Sequence, residues 1–299
     1  MKLAVVLGAG GLLGGYLVDE LGRRGVTVRG LSRNACDITD EAAVRRAVAG
    51  ASHVWNAAAF TDVDGAEKSP DAAFAANALG AENVARGAAE AGAVVVHVST
   101  DFVFDGALSR AYDEFDAPAP LSCYARSKRA GELLVEKATQ RHHVVRVQGL
   151  YGVAGRNFSS RLRSLVREGR GGMRLDAERR VQPTFARACA RALLEIADSD
   201  RFGTWHASCR GETTWHGFAV RLADRLHLPL SAQAVQSSEL KLPAPRPPNC
   251  LLENRRIQLY RLAPLPSWET ALDEYLAETA LEGAGAPGGT GAPRSKEIR

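Results

Sequence analysis

LAVVLGAGGLLGGYLVDELGRRGVTVRGLSR, residues 3–33, opens on an apolar, β-branched run, meets a cluster of glycines, and continues with leucines at 13, 17 and 21. The first part has the composition of a strand buried on both faces, and the leucine spacing is that of one helix face. Gly25 closes the helix, and VTVRGL resumes as a strand. The unit is strand, helix, strand with short connections, which places the two strands parallel and makes the crossover right-handed. Gly8, Gly11 and Gly14 fall at GxxGxxG spacing in the strand-to-helix turn. Glycine there permits a tight turn and lets the backbone approach a pyrophosphate. The unpaired N–H groups of the helix start, at Leu12 and Leu13, and its positive dipole end favour that anion.

The alternation continues. DEAAVRRAVAG reads as helix, SHVWNAAA as a strand running into a loop, and PDAAFAANALGAENVARGAAEAG as one long Ala-rich helix. AVVVHVST is a buried strand, SKRAGELLVEKAT a helix and HHVVRV a strand. The rhythm predicts an α/β fold, a doubly wound parallel Rossmann sheet over residues 1–150, with a smaller, interleaved substrate-binding lobe over 151–281. Residues 282–299, EGAGAPGGTGAPRSKEIR, lack apolar periodicity and are expected to be a disordered tail.

Composition narrows the function classes. A net charge of +4 over 299 residues gives no basis for a nucleic-acid partner, and no apolar run is long enough to span a bilayer. Five cysteines without CxxC spacing point to free thiols in a reducing compartment, so the expected location is cytoplasmic. No His or Cys pattern has metal-ligand spacing. Only six of the 38 basic residues are lysine, so a lysine at 128 stands where arginine is otherwise the habitual cation.

The candidate site follows from strand ends, because ligands bind at the carboxyl edge of such sheets. The second strand ends in Ser32 and Arg33, which suit a ribose 2′-phosphate, so NADPH is expected, with NADH as the alternative. Asp37, with Ile38 beside it, follows close enough to face an adenine, and is equally read as a helix cap. Ala57, Ala58 and Ala59 are small enough for a flat cofactor to lie against backbone, and Asn77 is added to the cofactor set from the Ala-rich helix. Ser99, Thr100 and Asp101 end a central strand. Tyr124 and Lys128 stand one helical turn apart in CYARSK. Thr100 and the Tyr124–Lys128 pair could converge on a carbonyl beside a nicotinamide, Tyr124 donating the proton. A phenol has an ordinary pKa near ~10, and an adjacent ammonium, with the positive charge of an oxidised nicotinamide in the product complex, is expected to lower it.

With those residues in view, the chain resembles an extended short-chain dehydrogenase/reductase, and within that group the dTDP-4-dehydrorhamnose reductase family. GAGGLLG, NAAAFTDVDGAE, NALGAENVA, HVSTDFVFDG, YARSK with AGE, GTWHASCRGETTWHGFA and RPPNCLL carry the resemblance. It implies Thr100, Tyr124 and Lys128 as the catalytic set and a nucleotide-linked 4-keto-6-deoxysugar as substrate. It also places Thr61, Val63, Asp101 and Asn157 near cofactor or sugar, and Arg246 and Asn249 near the substrate's diphosphate. A homodimer is compatible with it. The chain departs from the family's pattern in the sugar-facing half. Phe102 replaces the tyrosine of STDY, RVQGLYG replaces RTSWVYG with Gly149 in the tryptophan position, and ERRVQPT replaces the usual acidic-Gln-x-Gly-x-Pro-Thr segment. Loss of a tryptophan wall is expected to open the pocket. Two rivals remain: a non-catalytic, NADP-binding regulatory subunit of the same fold, and an epimerase-type relative using Cys123 or His206.

Overall fold

The computed structural model describes residues 1–154, 157–167 and 173–284. In chain order it has β1 (Leu3–Leu7), α1 (Leu12–Arg23), β2 (Thr27–Leu31), α2 (Glu41–Val48), β3 (His53–Asn56), α3 (Val63–Lys68), α4 (Pro70–Phe74), α5 (Gly80–Glu90) and β4 (Val94–Thr100). There follow α6 (Cys123–Ala138), β5 (His142–Val147), β6 (Leu150–Tyr151), α7 (Phe158–Arg167), β7 (Met173–Asp176), β8 (Thr184–Phe185), α8 (Ala186–Ala197) and β9 (Gly203–His206). The chain closes with α9 (Trp215–Arg225), β10 (Ala232–Val235), α10 (Arg255–Leu259) and α11 (Trp268–Ala284).

Six strands form one sheet in the order β2-β1-β3-β4-β5-β9, parallel throughout. Val5, Val6, Val54, Trp55, Val95, Val96, Val144 and Val145 are fully buried, as β-branched strands covered on both faces require. On one face α1 packs against α8, and on the other α2 packs against α5 and α5 against α6. The order of winding reverses between β1 and β3, which is where a doubly wound sheet opens its crevice. The sixth strand, β9, comes from beyond residue 150, so the two halves of the sequence share the main sheet. Two small parallel pairs, β6 with β8 and β7 with β10, form most of the remaining strand pairing.

Two expectations differ from what the structure has. The Ala-rich segment 70–92 is not one helix. A π-helical turn at Ala75–Leu79 interrupts it. The extra residue per turn rotates Asn77 inward, where its amide holds both the N–H and the carbonyl of Phe60 and also donates to Ser127 Oγ. At the chain end, residues 282–284 continue α11; residues 285–299 lie outside the described residues. The start of α11's last turns is tied down by charge: Arg187 on α8 pairs with Asp19 and Glu20 on α1 and with Glu278 on α11. All five cysteines are buried and unpaired. Among the described residues, no helix is long and apolar enough to cross a membrane.

Close approach of α6 to the π turn depends on Gly131, where a Cβ would stand 2.0 Å from the Asn77 carbonyl oxygen. That neighbour is backbone and cannot swing aside. Gly131→Ala is expected to destabilise the protein by about 1–3 kcal/mol through overpacking. Gly22→Ala, in the last turn of α1 with no described atom within 4 Å of the added one, is expected to stabilise it slightly. Urea midpoints that move in the same direction for both variants would contradict this reading of the α6 contact.

Candidate active site

The glycine turn is built for contact. Gly8 has φ +81°, and a Cβ there would meet Ala58 N at 2.6 Å, so the turn after β1 lies directly on the loop after β3. At Gly14 a Cβ would stand 2.1 Å from the Gly8 carbonyl oxygen, and at Gly11 3.2 Å from the same atom. Gly11 caps α1 without a side-chain partner, so the first N–H groups of that helix face the crevice without a protein cap. Leu13 itself packs in the core, and only its main chain can serve a ligand.

Beyond β2, Ser32 and Arg33 are exposed, and Arg33 Nε reaches Asp37 Oδ2 at 3.3 Å. Asp37 is fixed chiefly by Thr39, whose N–H and hydroxyl both donate to it, and these bonds hold its carboxyl below the usual range. Ile38 turns into the core against Gly80. The loop Ala57–Ala59 is half-buried. Asn77 anchors Phe60, just beyond this loop, to α6 through Ser127, a residue the sequence reading did not single out.

Helix α6 begins at a strong cap: Ser122 Oγ accepts from Ala125 N, and Glu67 accepts from Cys123 N. Tyr124, Lys128 and Glu132 then recur every fourth residue along one face. Lys128 is 2 % exposed, with its ammonium donating to the Val98 carbonyl of β4 at 2.7 Å. Burial lowers its pKa to about 8, opposed by the charge of Glu132. Glu132 is fully buried and takes two bonds of 2.9 Å from Arg146 on β5 and one of 2.7 Å from Arg129.

Thr100 ends β4 and caps the short turn that follows, accepting from Phe102 N at 3.2 Å. Its hydroxyl donates to Asp101 Oδ1 at 2.9 Å, and it is also within hydrogen-bonding reach of the Tyr124 phenol. Phe102 meets the Tyr124 ring edge-on, centroids 6.3 Å apart. The expected lowering of the phenol is not what the protein alone provides. Burial, with Asp101 adding to it, pushes Tyr124 up to about 12, and the Thr100 bond opposes the rise only in part. Lys128, whose ammonium is placed on the Val98 carbonyl, does not outweigh that burial.

The substrate side divides. Thr61 and Val63 lie at the start of α3, and Arg246 is clamped to Asp64 there by bonds of 2.7 and 2.9 Å. The Asn249 amide is spent on the Leu108 and Arg110 carbonyls, and Asn157 bonds Gly152 O as it leads into α7. Gly149 has φ +56°, and the space beside it is not open. A Cβ there would lie 3.3 Å from Gln182 O, 3.4 Å from Pro183 Cα and 3.5 Å from Trp215 Cη2. Gln148, Gln182 and Cys250, none of them singled out from sequence, form a buried polar cluster against Asp101.

A doubly wound sheet with a glycine turn at its switch point, and a Tyr-x-x-x-Lys helix lying against a strand that ends in a hydroxyl, defines the class of short-chain dehydrogenases/reductases. Comparison with known proteins narrows this. The family model described as RmlD substrate binding domain matches residues 1–281. The dTDP-4-dehydrorhamnose reductase of Mycobacterium tuberculosis is 38% identical over 283 residues, covering 92% of this chain and 93% of that one. A protein of Streptomyces antibioticus named as a probable dTDP-4,6-dihydroxy-2-methyloxan-3-one 4-ketoreductase is 35% identical over 279 residues, covering 90% and 93%. The crystal structure of Bacillus anthracis dTDP-4-dehydrorhamnose reductase in complex with NADP superposes with a TM-score of 0.90 at 32% identity, covering 93% of this chain and all of that one. The chain belongs to the dTDP-4-dehydrorhamnose reductase family of oxidoreductases.

A lysine whose folded value lies near 8 against an ordinary 10.5 makes a pH prediction. Between those values the unfolded chain holds a proton that the native chain has lost, so native stability gains as pH rises. Lys128→Met removes that gain. In cofactor-free protein the variant's stability relative to wild type should be greatest below about pH 8 and shrink toward pH 10.5; a pH-independent difference in urea midpoints would mean that Lys128 is not a buried ammonium.

Proposed function

We propose that this chain is an NADPH-dependent reductase of a nucleotide-linked 4-keto-6-deoxysugar. The observation that carries the reading is the pair on α6 of half-buried Tyr124 and buried Lys128, lying against the strand that ends in Thr100. The residues at the crevice suit the cofactor. Glycine at 8 and 14 lets the turn after β1 close onto the Ala57–Ala58 backbone and onto the start of α1, whose N–H groups carry no side-chain cap and suit a pyrophosphate, and Ser32 with Arg33 offers a hydroxyl and a guanidinium to a 2′-phosphate. When bound, NADPH supplies the hydride that reduces the ketone carbon.

The chain's own residues do the rest. Tyr124, held protonated by its burial, gives its phenolic proton to the ketone oxygen, completing the alcohol. Thr100 lies beside the phenol and positions the same oxygen. Lys128 keeps a positive charge one helical turn from Tyr124 and offsets the phenolate left behind. The likeness to a relative named for a different dTDP-linked ketone supports the substrate class and leaves the individual sugar to assay.

Oxidation of NADPH followed by absorbance, with a dTDP-4-keto-6-deoxysugar as acceptor, tests the reading. Tyr124→Phe should lower turnover by roughly 10²–10⁴-fold, the usual worth of a positioned general acid, with NADPH affinity retained. Wild type that binds NADPH but turns over no such sugar would favour the non-catalytic, regulatory reading. For the cofactor, Arg33→Ala should weaken NADPH by about tenfold while leaving NADH nearly unchanged, as loss of one charge-assisted phosphate contact implies. Equal weakening of both would remove Arg33 from the phosphate site.

A further inference from the structure

Gln148 follows the last residue of β5, in the position where the family's RTSWVYG pattern has serine. It is 2 % exposed, and the main chain pins its amide at both ends. Oε1 accepts from Gln182 N at 2.7 Å, and Nε2 donates to the Cys250 carbonyl at 2.6 Å. A backbone N–H can only donate and a backbone carbonyl can only accept, so the amide cannot be flipped. Its remaining N–H therefore points at Asp101 Oδ2, 2.9 Å away.

That contact dictates the polarity of the bonds beyond it. Asp101 Oδ2 is committed as an acceptor. The other carboxyl oxygen, Oδ1, shares a proton with Thr100 Oγ1 over 2.9 Å. Thr100 Oγ1 already accepts from Phe102 N and has a single proton to place. While Asp101 is a carboxylate, that proton lies on the bond to Oδ1, and Thr100 offers only a lone pair to the site. When Asp101 is protonated, Oδ2 as the carbonyl oxygen is the better acceptor for the Gln148 N–H and the proton goes to Oδ1, which has Thr100 Oγ1 as its partner; Asp101 then donates to Thr100, and the Thr100 proton is released toward a ketone oxygen.

We propose that Gln148 is a positioning residue of the reductase: by holding Asp101 Oδ2 as an acceptor, it determines which way the Thr100 hydroxyl points and so whether Thr100 donates to the substrate oxygen. The inference rests on the reductase reading and goes beyond it. The titratable and charged groups facing Asp101 are Tyr124 from α6 and Cys250 and Arg179 from the substrate half. Burial raises Asp101 to about 6, and the hydrogen bonds from Gln148, Thr100 and Cys250 oppose that rise. Removing the Gln148 N–H therefore keeps Asp101 protonated to higher pH.

The test compares wild type with Gln148→Met, which lacks the donor, and Gln148→Glu, which keeps the length and replaces the donor by an oxygen. Asp101 is titrated by NMR of isotope-labelled carboxyl carbons, its signal being the one absent from Asp101→Asn, and the pH profile of NADPH-driven reduction is recorded in parallel. The midpoint of Asp101 should rise by roughly one pH unit or more, a tenfold gain in proton affinity, in whichever variants fold, and the high-pH limb of the rate should move up with it. An unchanged Asp101 midpoint, or a moved midpoint under an unmoved rate profile, overturns the proposal. Absence of turnover in wild type, with the carboxyl shift intact, instead overturns the reductase reading on which the catalytic consequence rests.

Discussion

Lys128 is an ammonium taken out of water with no carboxylate in contact among the described residues, one N–H donating to the Val98 carbonyl. Desolvation works against that charge, and a buried lysine ordinarily escapes by losing its proton. Much of the structure around α6 keeps the arrangement in place. Ser122 and Glu67 hold the start of the helix, so that Tyr124 and Lys128 face the sheet. Gly131 lets the helix lie against the π turn with no side chain between them. One turn beyond Lys128, Glu132 supplies the opposing negative field while Arg146 and Arg129 keep its own charge satisfied. A buried carboxylate with three guanidinium bonds is a fixed charge, and a fixed charge is what a lysine in the interior needs nearby.

The same economy of position links the cofactor side to α6. The glycine turn lies on Ala57–Ala58, and Asn77 ties the adjoining Phe60 to α6 through Ser127. Contacts of 2.1 and 2.6 Å at hypothetical Cβ positions show why glycine alone serves at Gly14 and Gly8. The substrate half is held differently, by side-chain amides that bond to main chain. Gln148, Gln182, Asn249 and Asn254 each join segments far apart in sequence. Departures from the family pattern in this half are thus coupled. Gln148 accepts from the Gln182 backbone, and Gln182, Pro183 and Trp215 stand within 3.5 Å of where a Cβ at Gly149 would lie.

Much of this was legible beforehand because it is local. The strand–glycine–helix turn, the alternation of strand and helix, and a tyrosine and lysine one turn apart are patterns within a few residues, and backbone geometry converts them directly into position. The π turn was not legible: Ala75–Leu79 has helical composition, and its distortion answers to Phe60 and Ser127, which lie 17 and 50 residues from Asn77. Nor was the direction of the Tyr124 shift, since proximity of a lysine says nothing about where its ammonium points.

By itself, then, the sequence determined the strand–helix alternation of the Rossmann half, which follows from short-range periodicity and the conformational range of glycine, while its motifs carried the resemblance to the family and named the candidate side chains. Only the tertiary structure decided how those side chains are charged and oriented. Gln148 meets Asp101 across 47 residues and Cys250 across 102, and Lys128 meets Val98 across 30. Hydrogen-bond polarity and burial are properties of such long-range meetings. A group's desolvation and its partners exist only once the chain has closed around it.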